Sequence, residues 1–123
     1  MLKRVFLAAV VVLSAHFPAT GQPVATCAVI DEAIPVGRIF PVEAEPGTIA
    51  GEVVGSRVNV RTGPGSEYAA NAYGLVGDPI QVIGQAFSRS CDTWIQVRFP
   101  VSGHIGWVRA DFIDLRYARG WWT

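Results

Sequence analysis

Charge, lysine, histidine and cysteine are all scarce in this 123-residue chain, and each shortage excludes a function class. Charged residues make up 16% of it, and its 10 basic and 10 acidic side chains cancel. Nucleic-acid binding needs clustered cations to neutralise phosphate, so a nucleic-acid partner is excluded. A polybasic membrane binder is excluded for the same reason. The few Cys and His residues lack metal-ligand spacing, so no metal site is expected. Gly63-Pro64-Gly65 follows a strand-like stretch but opens no helix. A dinucleotide or phosphate loop therefore lacks its context, and no cofactor is expected. The chain has no repeat, no low-complexity tract and no sustained helical period.

What is present is apolar. Half of the residues are hydrophobic, enough for a packed core and too many for a disordered chain. The beginning reads as a secretory leader, residues 1–21. Lys3 and Arg4 precede the uncharged run Val5 to Ala15, and Ala19-Thr20-Gly21 supplies small residues for a cut before Gln22. The run is eleven residues long, where a membrane span needs roughly 20. No stable span is expected after cleavage. Lipid attachment at Cys27 is disfavoured by Thr26 and by the distance from the apolar run. Loss of Lys3 and Arg4 leaves 8 basic against 10 acidic residues, a net charge of −2 with every cation an arginine. The protein is expected to be exported, either periplasmic or secreted.

Export bears on the cysteines. Cys27 and Cys91 in an oxidising compartment are most simply a disulfide, with two buried free thiols as the alternative.

Residues 22–51 are expected to form an irregular arm. Pro23, Pro35, Pro41 and Pro46 interrupt it, and Gly37, Gly47 and Gly51 add turns. From Glu52 the texture is of short strands and tight turns. Val58 and Val60 alternate with Asn59 and Arg61, and Thr62 to Ser66 is a turn cluster. Ile80 to Phe87 is strand-like, with Gly84 suggesting a bulge. In Trp94 to Phe99 the period is two. Ile95, Val97 and Phe99 are assigned to the core, which leaves Trp94 on the opposite face and expected to be exposed. Pro100 to Gly103 reads as a hairpin connection into a strand over His104 to Val108. The fold class is all-β, a small barrel or sandwich of five or so short strands.

Three pieces now point to a family. Asn59-Val60-Arg61-Thr62-Gly63-Pro64-Gly65 resembles the N-V-R-x-G-P opening of bacterial SH3-like (SH3b) domains. Trp94-Ile95-Gln96-Val97 resembles that family's central strand, and Gly106 to Ile113 its closing G-W-V-x-x-x-Y-L, with Phe112 where Tyr is more usual. The resemblance covers residues 52–115, about half of the chain. It implies an SH3-like barrel with a single helical turn over Arg109 to Phe112. Residues 116–123, carrying Trp121 and Trp122, form an aromatic tail that either folds back on the domain, the favoured reading, or docks on a partner or membrane surface.

The resemblance also implies a binding module. Such domains recognise cell-wall peptides, assist a neighbouring hydrolase or bind proteins. The expected partner is therefore peptidoglycan or a protein ligand, held in an aromatic-lined groove. Candidate ligand-binding residues are Asn59, Arg61, Tyr68, Tyr73, Trp94 and Trp107. Gly63 and Gly65 allow a sharp reversal with positive φ on either side of Pro64. The Arg61 guanidinium can hold turn carbonyls or a carboxylate. Two other classes compete. A structural or inhibitory protein would use the barrel as scaffold and the 22–51 arm for activity. A Cys–His hydrolase would need Cys27 or Cys91 beside His104 and a third orienting group. No catalytic residue is assigned, and the chain is expected not to be an enzyme.

Overall fold

The computed structural model describes residues 24–115. The expected leader at 1–21 and the aromatic tail at 116–123 lie outside the described residues. Nine strands are described: β1 (Thr26–Val29), β2 (Glu32–Pro35), β3 (Phe40–Ile49), β4 (Arg57–Arg61), β5 (Ala70–Leu75), β6 (Pro79–Phe87), β7 (Thr93–Arg98), β8 (Ile105–Arg109) and β9 (Ile113–Leu115). A single 3₁₀ turn, Ala110–Phe112, separates β8 from β9. The fold is all-β, as expected. Among the described residues, no helix is long and apolar enough to cross a membrane.

Seven strands form one antiparallel sheet in the order β5-β4-β8-β7-β6-β3-β9, and β1 and β2 form a separate hairpin. The sheet curls on itself. Ile49 of β3 exchanges backbone hydrogen bonds with the β5–β6 turn, donating to Asp78 O and accepting from Gly77 N. A Cβ on Gly74 of β5 would lie 3.5 Å from Ile49 Cγ1. The concave face holds the core. Val58 and Val60, Ile80 and Val82, Ile95 and Val97, Val108, Ile49 and Ile113 form one buried cluster. The alternation expected in β4 and β7 is thus observed: every second residue is turned inward.

Two sequence expectations need correction. Residues 22–51 do not form an irregular arm, because 26–49 hold three strands and β3 lies between β6 and β9. The prolines misled because they occupy positions that tolerate them. Before Gly47, β3 has only β6 as a partner, and its register shifts between Pro41 and Glu45. Sheet edges and bulges are where the missing proline N–H is tolerated. The strand number is also larger than the five or so expected.

The predicted bulge in β6 is present, and it changes which residues face inward. Val82 pairs with Val97 but Gly84 pairs with Gln96, so Ile83 is the extra residue. Before it, Ile80 and Val82 face the core. After it the phase reverses, and Gly84 and Ala86 join the convex face of the sheet.

The β1–β2 hairpin is attached to the sheet by covalent and polar links. Cys27 and Cys91 form a disulfide, with Cα atoms 5.5 Å apart. Gly37 N donates to Phe87 O at 2.9 Å. The loop that carries Cys91 is tied by Ser88, whose N–H donates to Asp92 O and whose hydroxyl accepts from Asp92 N.

The cross-link spans 64 positions. Loop-closure entropy then stabilises the fold by about 4 kcal/mol. Replacing both cysteines with alanine is expected to lower the denaturant-derived unfolding free energy by about that amount. A loss under ~1 kcal/mol would show that the chain-entropy account does not apply to this cross-link.

Candidate ligand groove

The convex face of the sheet carries the candidate site, and register decides its membership. Arg57, Asn59 and Arg61 alternate with the core valines of β4, so all three face outward. Arg61 lies opposite Trp107, which lies opposite Gln96. Trp94 lies opposite both Arg109 and Ala86. Residues opposite one another share a face. The motif pieces, distant in sequence, therefore meet on one surface.

Arg61 shapes that surface. Its Nη1 donates to Tyr68 O at 2.8 Å and to Ser66 O at 3.2 Å. These bonds draw the 62–68 turn over the convex face, as the guanidinium was expected to do. The glycines of the turn act differently from expectation. Neither Gly63 nor Gly65 is among the positive-φ residues. Gly63 is a glycine for want of room, since a Cβ there would collide with the Tyr68 ring, whereas one on Gly65 would meet only the movable carboxylate end of Glu67. Gly106 is similar, since a Cβ there would run into Val60.

Trp94 does not protrude. It is 6% exposed, and with Trp107 at 4% and Ala86 it forms a second buried cluster. The two-residue period placed its side chain correctly, opposite Ile95 and Val97. The error lay in taking that face to be wet. The bulge brings small Gly84 and Ala86 alongside the tryptophans, and the turn held by Arg61 lies on the same side.

Beside this cluster runs a groove of about 280 Å³, lined chiefly by Arg57, Asn59, Arg61, Trp94, Arg109 and Phe112. It shares Arg57, Val58 and Phe112 with a second depression of about 520 Å³, where Val53, Val76 and Asp111 stand. The two depressions adjoin beside β4, the first reaching the 62–68 turn at Ser66 and the second the 51–56 loop. Three of the six candidate residues line the groove: Asn59, Arg61 and Trp94. Tyr73, 52% exposed, supports it from β5, with its ring centre 4.2 Å from the Arg57 guanidinium. Tyr68, 41% exposed, lines a separate cleft between the turn and the β1–β2 hairpin. Trp107 is buried beneath and lines neither.

Arg57, Arg109 and Phe112 were missed as groove residues. Period two from Asn59 and Arg61 would have found Arg57, but Arg109 and Phe112 needed the strand order. The predicted helical turn at Arg109 to Phe112 is present as the 3₁₀ turn, with Arg109 as its cap. Arg109 grips Asp111 bidentately, Nε to Oδ1 at 2.7 Å and Nη2 to Oδ2 at 2.8 Å. The guanidinium hydrogen bond holds the Asp111 carboxyl below its ordinary pKa of 3.8, against a smaller opposing effect of burial. His104, the histidine of the hydrolase alternative, sits at the β7–β8 hairpin, where its backbone carbonyl accepts from Phe99 N. The cysteines of that alternative are joined to each other.

No family model and no solved structure matches this chain. The serine/threonine-protein kinase D of Synechocystis sp. is 28% identical to it over 64 residues, 52% of this chain. The chain covers 12% of that kinase's length. Its 123 residues contain neither the H-R-D nor the D-F-G sequence of a kinase catalytic site.

Replacing Arg61 with methionine keeps much of the side-chain length and removes both hydrogen bonds to the turn. Faster amide exchange at Thr62, Gly65 and Tyr68, with unchanged exchange in β6 and β7, is the expected outcome. Asp111 should titrate below the usual carboxylate range. Its depressed pKa means its contribution to stability is complete above about pH 4 and is lost as pH falls further. Carboxyl NMR should show this shift, and Arg109→Gln should return Asp111 to its ordinary value.

Proposed function

We propose that this protein is an exported, non-catalytic binding module built on an SH3-like barrel, with its ligand in the groove along β4. Export is supported by the leader-like start of the sequence and by the Cys27–Cys91 disulfide. An SH3-like barrel is supported by the curled sheet and by the three ordered motif pieces, which meet on one face. The 3₁₀ turn before the last strand also fits it.

One observation carries the binding reading. The groove is lined by guanidinium, amide and aromatic groups on rigid strands, and its floor is an extended strand whose outward side chains form its wall. Such a channel fits an extended peptide better than a compact metabolite. The cell-wall stem peptide is the ligand this reading favours, with a peptide of a partner protein as the alternative. Arg61 serves the groove by fixing the turn, and Trp94 forms part of its wall while staying packed on Trp107. Tyr73 acts through Arg57.

Sedimentation of the intact protein with purified peptidoglycan tests this. Trp94 is too well buried for a clean truncation. Asn59 is exposed on the groove floor, so Asn59→Trp fills the channel without touching the core. The wild-type protein should pellet and Asn59→Trp should stay in the supernatant at an unchanged melting temperature. Equal pelleting of both would overturn the groove. A wild-type protein that stays soluble would overturn the cell-wall ligand.

A further inference from the structure

We infer that the cleft between the 62–68 turn and the base of the β1–β2 hairpin is a second ligand site, which takes a pyranose ring of a neutral glycan on the face of Tyr68. This goes beyond the peptide groove proposed above, with which the cleft shares no lining residue.

The cleft holds about 450 Å³ and is lined chiefly by Val24, Val36, Pro64, Glu67, Tyr68 and Arg89. Tyr68 is its platform. A Cβ on Gly63 would lie 2.6 Å from Cγ of the Tyr68 ring and 2.5 Å from Cε1, with Cδ1 between them also in contact. An approach to the ring edge would leave the two outer atoms much farther off than the middle one. Gly63 therefore lies under one face of the ring. Gly63 is buried while Tyr68 is 41% exposed, so the exposure belongs to the opposite face and the hydroxyl edge. The backbone of Tyr68 is fixed as well: its N–H donates to Gly65 O, and its carbonyl accepts from Arg61 Nη1.

The other walls are held independently. At the hairpin base, Val36 N donates to Ala25 O at 2.9 Å and Gly37 N donates to Phe87 O. Arg89 stands in the loop anchored by Cys91 and by the Ser88–Asp92 bonds. A site whose walls are already placed loses little freedom on binding.

The chemistry of the lining selects the ligand. An aromatic face is electron-rich and meets the weakly positive C–H bonds on the flat side of a pyranose. Val24 and Val36 add apolar surface beside it. Glu67 and Arg89 are both exposed, and among the described residues the one ion pair is Arg109–Asp111, so these two are not paired. A carboxylate only accepts hydrogen bonds and a guanidinium only donates them. Sugar hydroxyls do both, so a neutral polyol serves the two groups together. A charged ligand would satisfy one and be repelled by the other. An acetamido substituent on the pyranose would place a methyl group on the valines.

The probe is the peptide-free tetramer of β-1,4-linked N-acetylglucosamine, titrated into the intact protein and followed by amide NMR. Shifts are expected at Val36, Glu67, Tyr68 and Arg89, with Val58, Asn59 and Val60 unmoved. Tyr68→Ala should weaken binding about tenfold, and Tyr68→Phe should keep it within about twofold, because the ring rather than the hydroxyl is the platform. Arg89→Met alters a wall outside the turn and should also weaken binding, so a turn disturbed by Tyr68→Ala does not shelter the inference. No binding of the tetramer overturns it, as do shifts confined to β4. Wild-type affinity in Tyr68→Ala or Arg89→Met, or loss in Tyr68→Phe, overturns it too. A proline-rich peptide that shifts these amides where the tetramer does not would overturn it by assigning the cleft to polyproline chains. Asn59→Trp separates the two sites. The open cleft binds too weakly to sediment the protein by itself, so Asn59→Trp should lose peptidoglycan and keep the tetramer. A wild-type protein that pellets without binding the tetramer would reject the cleft and keep the groove. Tetramer binding by an Asn59→Trp protein that pellets like wild type would keep the cleft and reject the groove.

Discussion

The hold of Arg61 on the 62–68 turn is the contact on which the site depends. One guanidinium nitrogen reaches from an outward position on β4 to two carbonyls of the turn. That reach folds the turn back beside the sheet face on which Trp94 and Trp107 are buried, the side away from the core. The turn also forms the end wall of the groove. A strand-borne arginine thus gives an open groove one of its walls, and the close fit of Gly63 against the Tyr68 ring keeps the turn compact.

The second constraint is the bulge at Ile83. A strict two-residue alternation through β6 would leave Gly84 and Ala86 facing inward with Ile80 and Val82. The extra residue moves both small residues to the convex face, next to the tryptophans. Room for the aromatic cluster comes from there. The bulge both resets the phase of β6 and bends that strand, so it contributes to the curl of the sheet as well as to the convex cluster.

Much of the strand-and-turn pattern from Val58 onward was legible, because alternation and turn chemistry are local signals. The β6 bulge, the β7–β8 hairpin and the 3₁₀ turn were all found where Gly84, Pro100 to Gly103 and Arg109 to Phe112 suggested. The Cys27–Cys91 link followed from the oxidising compartment that a leader implies. β3 was illegible because its prolines carry a helix-breaking signal, and their tolerance depends on neighbours that sequence does not reveal. Half of the candidate residues line the groove. Asn59 and Arg61 were identified through the motif resemblance, and Trp94, identified by its strand face, was misjudged because alternation tells which face a side chain takes, not whether that face is covered. Arg109 and Phe112 became visible only once β8 and its 3₁₀ turn were seen beside β4.

The Cys27–Cys91 bond has a mechanical consequence. A tension applied between the two ends of the chain passes from Cys27 straight into the loop before β7. Everything from Ala28 to Ser90 hangs as a bypassed loop that carries none of the pull. β4, the 62–68 turn and Tyr73 all lie within that loop. Under load the strain falls first on β7, β8 and β9, and the wall of the groove built on β4 is shielded.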